Sequence, residues 1–260
     1  MKTNFKFLVL ILSLGLFLQS CSSDDDGGSV PGINAPEITG FEYGEGSDHS
    51  TDYFAYKGSD IHLEAEIYAE SVVSSITLEI HAHDAELAEG EVEWEFEQTY
   101  TNEDYLVINP TFHEHVDVPT NIPSGEYHVE LIVVDEEGNS TEVEGELQIL
   151  DVITLSDFEI DATAARGSDF HAEFMINAVH GIHNISLDVH AHDLDVAAGE
   201  EEWDLEAIFE DGYHGQTEVE FHEHVDIPAN APAGEYHMTF TVEDEEGNIK
   251  EYETHMDVTA

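Results

Sequence analysis

The chain has 260 residues, 41% of them apolar, and sets five Lys and Arg against 60 Asp and Glu, a formal net charge of −55. So acidic a chain repels nucleic acid and anionic lipid headgroups and draws cations, which excludes DNA and RNA as partners. Surplus negative charge is also what keeps a surface protein soluble or suits it to salt, but it does not account for seventeen His.

In chain order, Lys2 and Lys6 precede an apolar run from Phe7 to Leu18. This is the basic region and short apolar core of a signal peptide over residues 1–20, too short for a stable membrane span. Leu18-Gln19-Ser20-Cys21 resembles the lipobox of bacterial lipoproteins, which implies that Cys21 becomes the lipidated first residue of the mature chain. Ser22-Ser23-Asp24-Asp25-Asp26 is similar to the acidic export signal of Bacteroidota lipoproteins. That likeness implies an outer-membrane lipoprotein exposed on the cell surface, with a periplasm-facing anchor as the alternative. Cys21 is the one Cys of the chain, so no disulfide forms within it and no metal site here uses thiolate. Residues 21–35 read as a flexible acidic tether.

An internal repeat follows. Gly58-Ser59-Asp60 returns as Gly167-Ser168-Asp169, His81-Ala82-His83-Asp84 as His190-Ala191-His192-Asp193, and Trp94 as Trp203. Phe112-His113-Glu114-His115-Val116-Asp117 returns as Phe221-His222-Glu223-His224-Val225-Asp226, and Gly125-Glu126-Tyr127-His128 as Gly234-Glu235-Tyr236-His237. These pairs all lie 109 positions apart and define two domains, 36–150 and 151–260. Within each, apolar and polar residues alternate with period two, as in Ile61-His62-Leu63-Glu64-Ala65-Glu66-Ile67. Strands are expected near 37–43 and at 61–68, 75–83, 91–99, 107–117, 126–134 and 141–149. The fold class is therefore all-β, two tandem immunoglobulin-like antiparallel β-sandwiches. The run from Gly125-Glu126-Tyr127 to Gly138-Asn139 also resembles the penultimate strand and last turn of bacterial immunoglobulin-like domains, which sets the strand order.

That order puts the start of the second strand, the end of the third, the end of the fifth and the start of the sixth at one pole. His62, His81, His83, His113, His115 and His128 sit at those ends, as do their copies His171, His190, His192, His222, His224 and His237. Residues i and i+2 of a strand point to one side, roughly 7 Å apart, so a His-x-His strand can offer two imidazoles to one ion. Imidazole suits Zn(II), the expected metal, and also Cu(II) and Ni(II). Asp84, Asp117, Asp193 and Asp226 are candidates for a last ligand or for a carboxylate that holds a ring. The competing view is that alternating outward positions need some hydrophilic residue and this chain avoids Lys. The second and fifth strands belong to one sheet and the third and sixth to the other, so the six His of a domain diverge. His81, His83 and His128, on neighbouring strands, are then the better-placed set, while His113 and His115 reach over the pole or form a second site with His62. His49, His180, His183, His214 and His255 have no counterparts and read as surface residues, with weak secondary ligands as the alternative. Trp94, Trp203, Tyr127 and Tyr236 read as core anchors.

The succession His-x-His-Asp, a Trp-bearing strand, His-Glu-His-(Val/Ile)-Asp-(Val/Ile)-Pro, Gly-Glu-Tyr-His and Asp-x-x-Gly-Asn resembles domain-of-unknown-function family 4625. That is a lipoprotein family of Bacteroidota, present here twice over most of residues 36–260, and the resemblance implies fold and compartment rather than an activity. Phe112-His113-Glu114-His115 is also similar to the copper-ligand strand of Cu/Zn superoxide dismutase, but the disulfide cysteines of that enzyme are missing. The leading expectation is a non-enzymatic lipoprotein that captures or buffers Zn(II), with an outer-membrane receptor or transporter as recipient. A cell-surface adhesion or scaffold module and a metal-dependent hydrolase or dismutase are the alternatives. Calcium binding at the Asp-Glu-Glu-Gly-Asn turns ranks below them, since those turns lack the ligand spacing of an EF-hand loop.

Overall fold

The computed structural model describes residues 32–260 apart from 48, 83–85, 89, 192 and 193. The signal peptide, Cys21 and the acidic stretch behind it lie outside the described residues, as do His83, Asp84, His192 and Asp193. The first domain comprises β1 (Glu37–Glu45), β2 (Phe54–Tyr56), β3 (Asp60–Tyr68), β4 (Val73–Ala82), β5 (Glu95–Tyr100), β6 (Thr111–Asp117), β7 (Gly125–Asp135) and β8 (Ser140–Leu150). The second repeats the plan with β9 (Ile153–Ile160), β10 (Thr163–Ala165), β11 (Asp169–Ala178), β12 (Ile182–Ala191), β13 (Leu205–Phe209), β14 (Glu218–Asp226), β15 (Gly234–Asp244) and β16 (Ile249–Thr259).

Each domain is an immunoglobulin-like sandwich of two sheets. The first orders them β1-β3-β6 and β2-β8-β7-β4-β5, the second β9-β11-β14 and β10-β16-β15-β12-β13. The short strands β2 and β10 pair parallel to β8 and β16; at three residues each they are too short to show a period. The strand expected at 91–99 begins only at Glu95, and that at 107–117 only at Thr111. Asn109 takes a left-handed φ of 57° and its side-chain oxygen accepts from the Ala69 N–H at 2.7 Å, so the chain turns there instead of extending.

Alternation delivers the core. Ile61, Leu63, Ala65 and Ile67 of β3 face Ile76, Leu78 and Ile80 of β4 and Val129, Leu131 and Val133 of β7 in one buried cluster. Full burial of one such side chain contributes about 1.5–3 kcal/mol. Trp94 packs on Tyr127 at 5.5 Å between ring centroids and Trp203 on Tyr236 at 5.1 Å. Both tyrosines are fully buried and donate upstream, Tyr127 to the Pro123 carbonyl at 2.8 Å and Tyr236 to that of Pro232 at 3.0 Å. This is the tyrosine corner that ties an immunoglobulin-like sheet to the loop before it. In the β7–β8 turn, the Asp135 carboxylate accepts from the Asn139 backbone N–H at 2.8 Å and its side-chain amide at 2.9 Å. Asp244 does the same for Asn248. These two buried carboxylates are engaged in closing their turns.

The cations beyond Cys21 are placed as sparingly as they are used. Lys57 pairs with Glu91 at 2.9 Å, and Arg166, its repeat counterpart, with Glu200 at 2.9 Å. Lys57 also meets Asp151, between β8 and β9, at 2.8 Å, and Lys250 reaches the same carboxylate at 3.4 Å. Replacing Tyr127 by Phe leaves the Pro123 carbonyl without this donor and should cost about 1–2 kcal/mol, read as a lower midpoint of urea unfolding. An unchanged midpoint would refute the role given to the corner.

Candidate metal centres

Strand register builds the site. β3 and β6 pair so that His62 lies opposite His115 and Glu64 opposite His113. Phe112 and Val116 point into the core with Ile61 and Leu63, so the three imidazoles share the outer face. Their ring centroids are 4.9 Å (His62–His113), 5.2 Å (His62–His115) and 5.6 Å (His113–His115) apart. A fourth ring comes from the connection between β1 and β2: His49 stacks on His62 at 4.4 Å and lies 5.1 Å from His115 and 5.6 Å from His113. One ring nitrogen of each of the four lies within 4.8 Å of all the others. Four nitrogens around a tetrahedral Zn(II) at 2.0–2.1 Å stand roughly 3.4 Å apart, so closure on an ion asks for inward movements of about an ångström, within reach of side-chain rotation.

His62 is the telling member. Its residue is 3% exposed, and its Nδ1 is buried with no hydrogen-bond partner. Its Nε2 stands 3.8 Å from a Glu64 carboxylate oxygen. Burial, and then the neighbouring His49, His113 and His115, push its pKa below the ordinary histidine value, which keeps the ring neutral and able to ligate. Beside it, His115 Nδ1 meets Asp60 Oδ2 at 2.5 Å, an arrangement that fixes the ring and leaves Nε2 for an ion. The Tyr105 hydroxyl anchors the strand, 2.8 Å from Glu114 Oε1 and 2.9 Å from the His113 carbonyl, and accepts from the His113 N–H at 3.3 Å. Burial first, and Glu114 next, push that phenol up to about 12.

The second domain reproduces the strand pair. His171 lies opposite His224 and Glu173 opposite His222, with ring centroids 4.8 Å (His171–His222) and 5.1 Å (His171–His224) apart. His224 Nδ1 meets Asp169 Oδ2 at 2.6 Å, and His222 Nδ1 meets Glu173 at 2.9 Å. His171, His222 and His224 bring ligand atoms within 4.8 Å of one another, and Glu173 with Glu220 and His222 forms an overlapping group.

The sequence signature of the domain of unknown function DUF4625 matches residues 19–150 and again 151–259. The chain belongs to this family. No curated protein matches the sequence. Among solved structures the chain is similar to a tetra-tandem repeat from the extending region of a large adhesion protein, at 11% identity and a TM-score of 0.32, over 87% of this chain and 50% of that one. It is also similar to a Bacteroides ovatus protein, SGBP-B of a mixed-linkage glucan utilization locus, in complex with a mixed-linkage heptasaccharide. There the identity is 12% and the TM-score 0.27, over 87% of this chain and 48% of that one. Dimeric latent PorU of Porphyromonas gingivalis matches at 15% identity and a TM-score of 0.30, over 87% of this chain and 20% of that one. The chain thus spans half or less of each of these three structures.

In both DUF4625 copies the larger sheet carries a further pair of expected His ligands. His81 lies opposite His128, rings stacked at 5.5 Å, and His190 opposite His237 at 5.0 Å. His255, a residue with no counterpart in the first copy, adds a third ring 5.0 Å from His237. Among the described residues no three imidazoles converge there, although the Glu130, Glu142 and Glu144 carboxylates do, whereas the smaller sheet gathers four imidazoles in the first copy and three in the second. His83 and His192, which complete the sets expected from sheet geometry, lie outside the described residues. Carboxylates on the rings include Asp60 on His115, Asp169 on His224 and Asp188 on His190, while Asp117 and Asp226 stand across the ladder from Asp60 and Asp169. His183 and His214 join Glu245 in an exposed group at the opposite pole of the second copy.

The signal for Asp60 and Asp169 was present, since each ends a duplicated Gly-Ser-Asp two positions before a site His, His62 or His171. His49 left none, because it has no repeat partner. A depressed folded-state pKa for His62 means that the unfolded chain takes up protons first. The stability its neutral ring contributes is present above the unfolded value of about 6.5 and is lost as pH falls from there toward the folded value. Urea unfolding of the metal-free protein at pH 7.5 and 5.5 should therefore show a larger acid loss for wild type than for His62→Leu. Equal losses would contradict it.

Proposed function

We propose that this is a metal-binding lipoprotein of the outer membrane, anchored through Cys21, that captures or buffers Zn(II), with Cu(II) and Ni(II) as alternative ions, and passes it to an outer-membrane receptor or transporter. The observation that carries the reading is the convergence of His49, His62, His113 and His115 from three separate segments, with a buried His62 nitrogen that has no other partner. A polar atom buried without a partner costs about 1–3 kcal/mol, and coordination would offset that cost. All-imidazole donors select borderline ions over Ca(II) and Mg(II). The surrounding carboxylates raise the local concentration of any divalent cation, and the rings choose among them. The role is binding rather than catalysis.

Calorimetric titration of the purified protein with Zn(II) at pH 7.5 should give two sites per chain. His113→Ala with His115→Ala should remove one, and His222→Ala with His224→Ala the other. A quadruple variant that binds as wild type does would refute the proposal. Asp60→Asn frees the His115 ring and should weaken the first site by about 10–100-fold. Because only neutral imidazole ligates, affinity should fall as pH drops below about 6.5.

A further inference from the structure

The two copies of the site are not equivalent. Glu37 of β1 pairs with Tyr68, and Thr154 of β9 pairs with Asn177. That is an offset of 117 where the repeat from Gly58 onward keeps 109, so the first domain holds eight more residues from Glu37 to Gly58 than the second holds from Thr154 to Gly167. Those extra residues form the connection that carries His49 over the β3–β6 face. In the second domain only Asp161 and Ala162 separate β9 from β10. Asp161 is occupied locally: its N–H donates to the His171 carbonyl at 3.0 Å and its carboxylate accepts from the His171 N–H at 2.9 Å.

The consequence is exposure on one side of the trio. The His171 side chain is 25% exposed where His62 is 4%, and His224 is 58% exposed where His115 is 37%. Among the described residues no fourth ligand atom joins His171, His222 and His224. The carboxylates beside the trio stand on its rings, Asp169 on His224 Nδ1 at 2.6 Å and Glu173 on His222 Nδ1 at 2.9 Å, 3.5 Å from His171 Nε2. Four protein ligands close a zinc site, whereas three leave a position for water or an incoming donor.

Resting on the metal-binding reading above, we infer that the second-domain site holds its ion through three imidazoles and keeps a fourth position for an exogenous donor, while the first-domain site closes on four. The second site is then the exchange site. An incoming anion or imidazole binds the ion before any His leaves, so transfer to a recipient needs no prior loss of a protein ligand. The first site must release a ring before another donor enters, so it retains its ion.

Co(II) reports this directly, because its visible bands shift when a coordinating anion replaces water. The test uses the full chain with His113→Ala and His115→Ala, which leaves the second site, or with His222→Ala and His224→Ala, which leaves the first. All four rings are on the outer face, so the fold is expected to persist. Thiocyanate should shift the Co(II) bands of the second site and leave those of the first unchanged. Adding His49→Ala to the variant that retains the first site should make that site respond as well. An unresponsive second site (as would follow if Glu173 filled the fourth position) or equal responses in both overturns this inference and leaves the metal-binding reading standing. Failure of either variant to take up Co(II) at all overturns both.

Discussion

The pairing of β3 with β6 is the constraint on which the rest depends. Its register sets His62 opposite His115 and Glu64 opposite His113, and the same ladder carries Ile61, Leu63 and Phe112 into the core. Because the side-chain period of a strand is two, a slip of β6 by one residue would drive His113 and His115 inward and leave Phe112 and Val116 in water. Burying the core and gathering the rings are therefore one requirement. The second domain shows the same coupling, with Phe170, Ala172 and Phe221 inward and His171 opposite His224. This is why the imidazoles are held by elements as rigid as the sandwich itself.

Charge acts around that frame. Three cations beyond Cys21 cannot neutralise the carboxylates, and they are spent on structure: Lys57 on Glu91 and Asp151, Arg166 on Glu200, Lys250 on Asp151. Like charges consequently meet across the larger sheet, where Glu130 lies between Glu79 and Glu144. Burial first, and then these neighbours, push the Glu130 carboxyl above its ordinary value. Directly opposed like charges destabilise a sheet, and the fold bears that cost on a face built from the longest strands. A surface this short of ammonium groups offers an approaching cation attraction from nearly every side.

How much was legible follows from what each signal measures. Period-two alternation exposes strands that are half buried, so β3, β4, β7 and β8 were plain, and duplication located the second set. Neither signal sees a three-residue strand such as β2, nor the turn at Asn109 that shortens β6. For the site, spacing showed that His113 and His115 share a face, and sheet order paired them with His62. What spacing could not show is curvature and cover. On the larger sheet, whose neighbouring strands both carry His, the described rings pair His81 with His128 and His190 with His237, while His83 and His192 lie outside the described residues.

The cover over the first site has its own sequence logic, and it resides in two glycines rather than in a histidine. The segment after β1 folds back on the start of β3, the Gly46 N–H donating to the Asp60 carbonyl at 2.9 Å and the Ser50 N–H to the Glu45 carbonyl at 2.9 Å. A Cβ at Gly46 would stand 2.3 Å from the Asp60 carboxylate, and one at Gly44 2.6 Å from the Ser50 carbonyl. Only glycine permits both approaches. Asp60 is the same carboxylate that grips His115, so the glycine that lets the loop pack also brings it against the group that orients a ring. His49 then enters from a left-handed φ of 49°, a conformation of modest cost for a non-glycine residue. Loop, carboxylate and ring are mechanically one unit, and a domain that lacks the eight residues loses the fourth imidazole while keeping the other three in register.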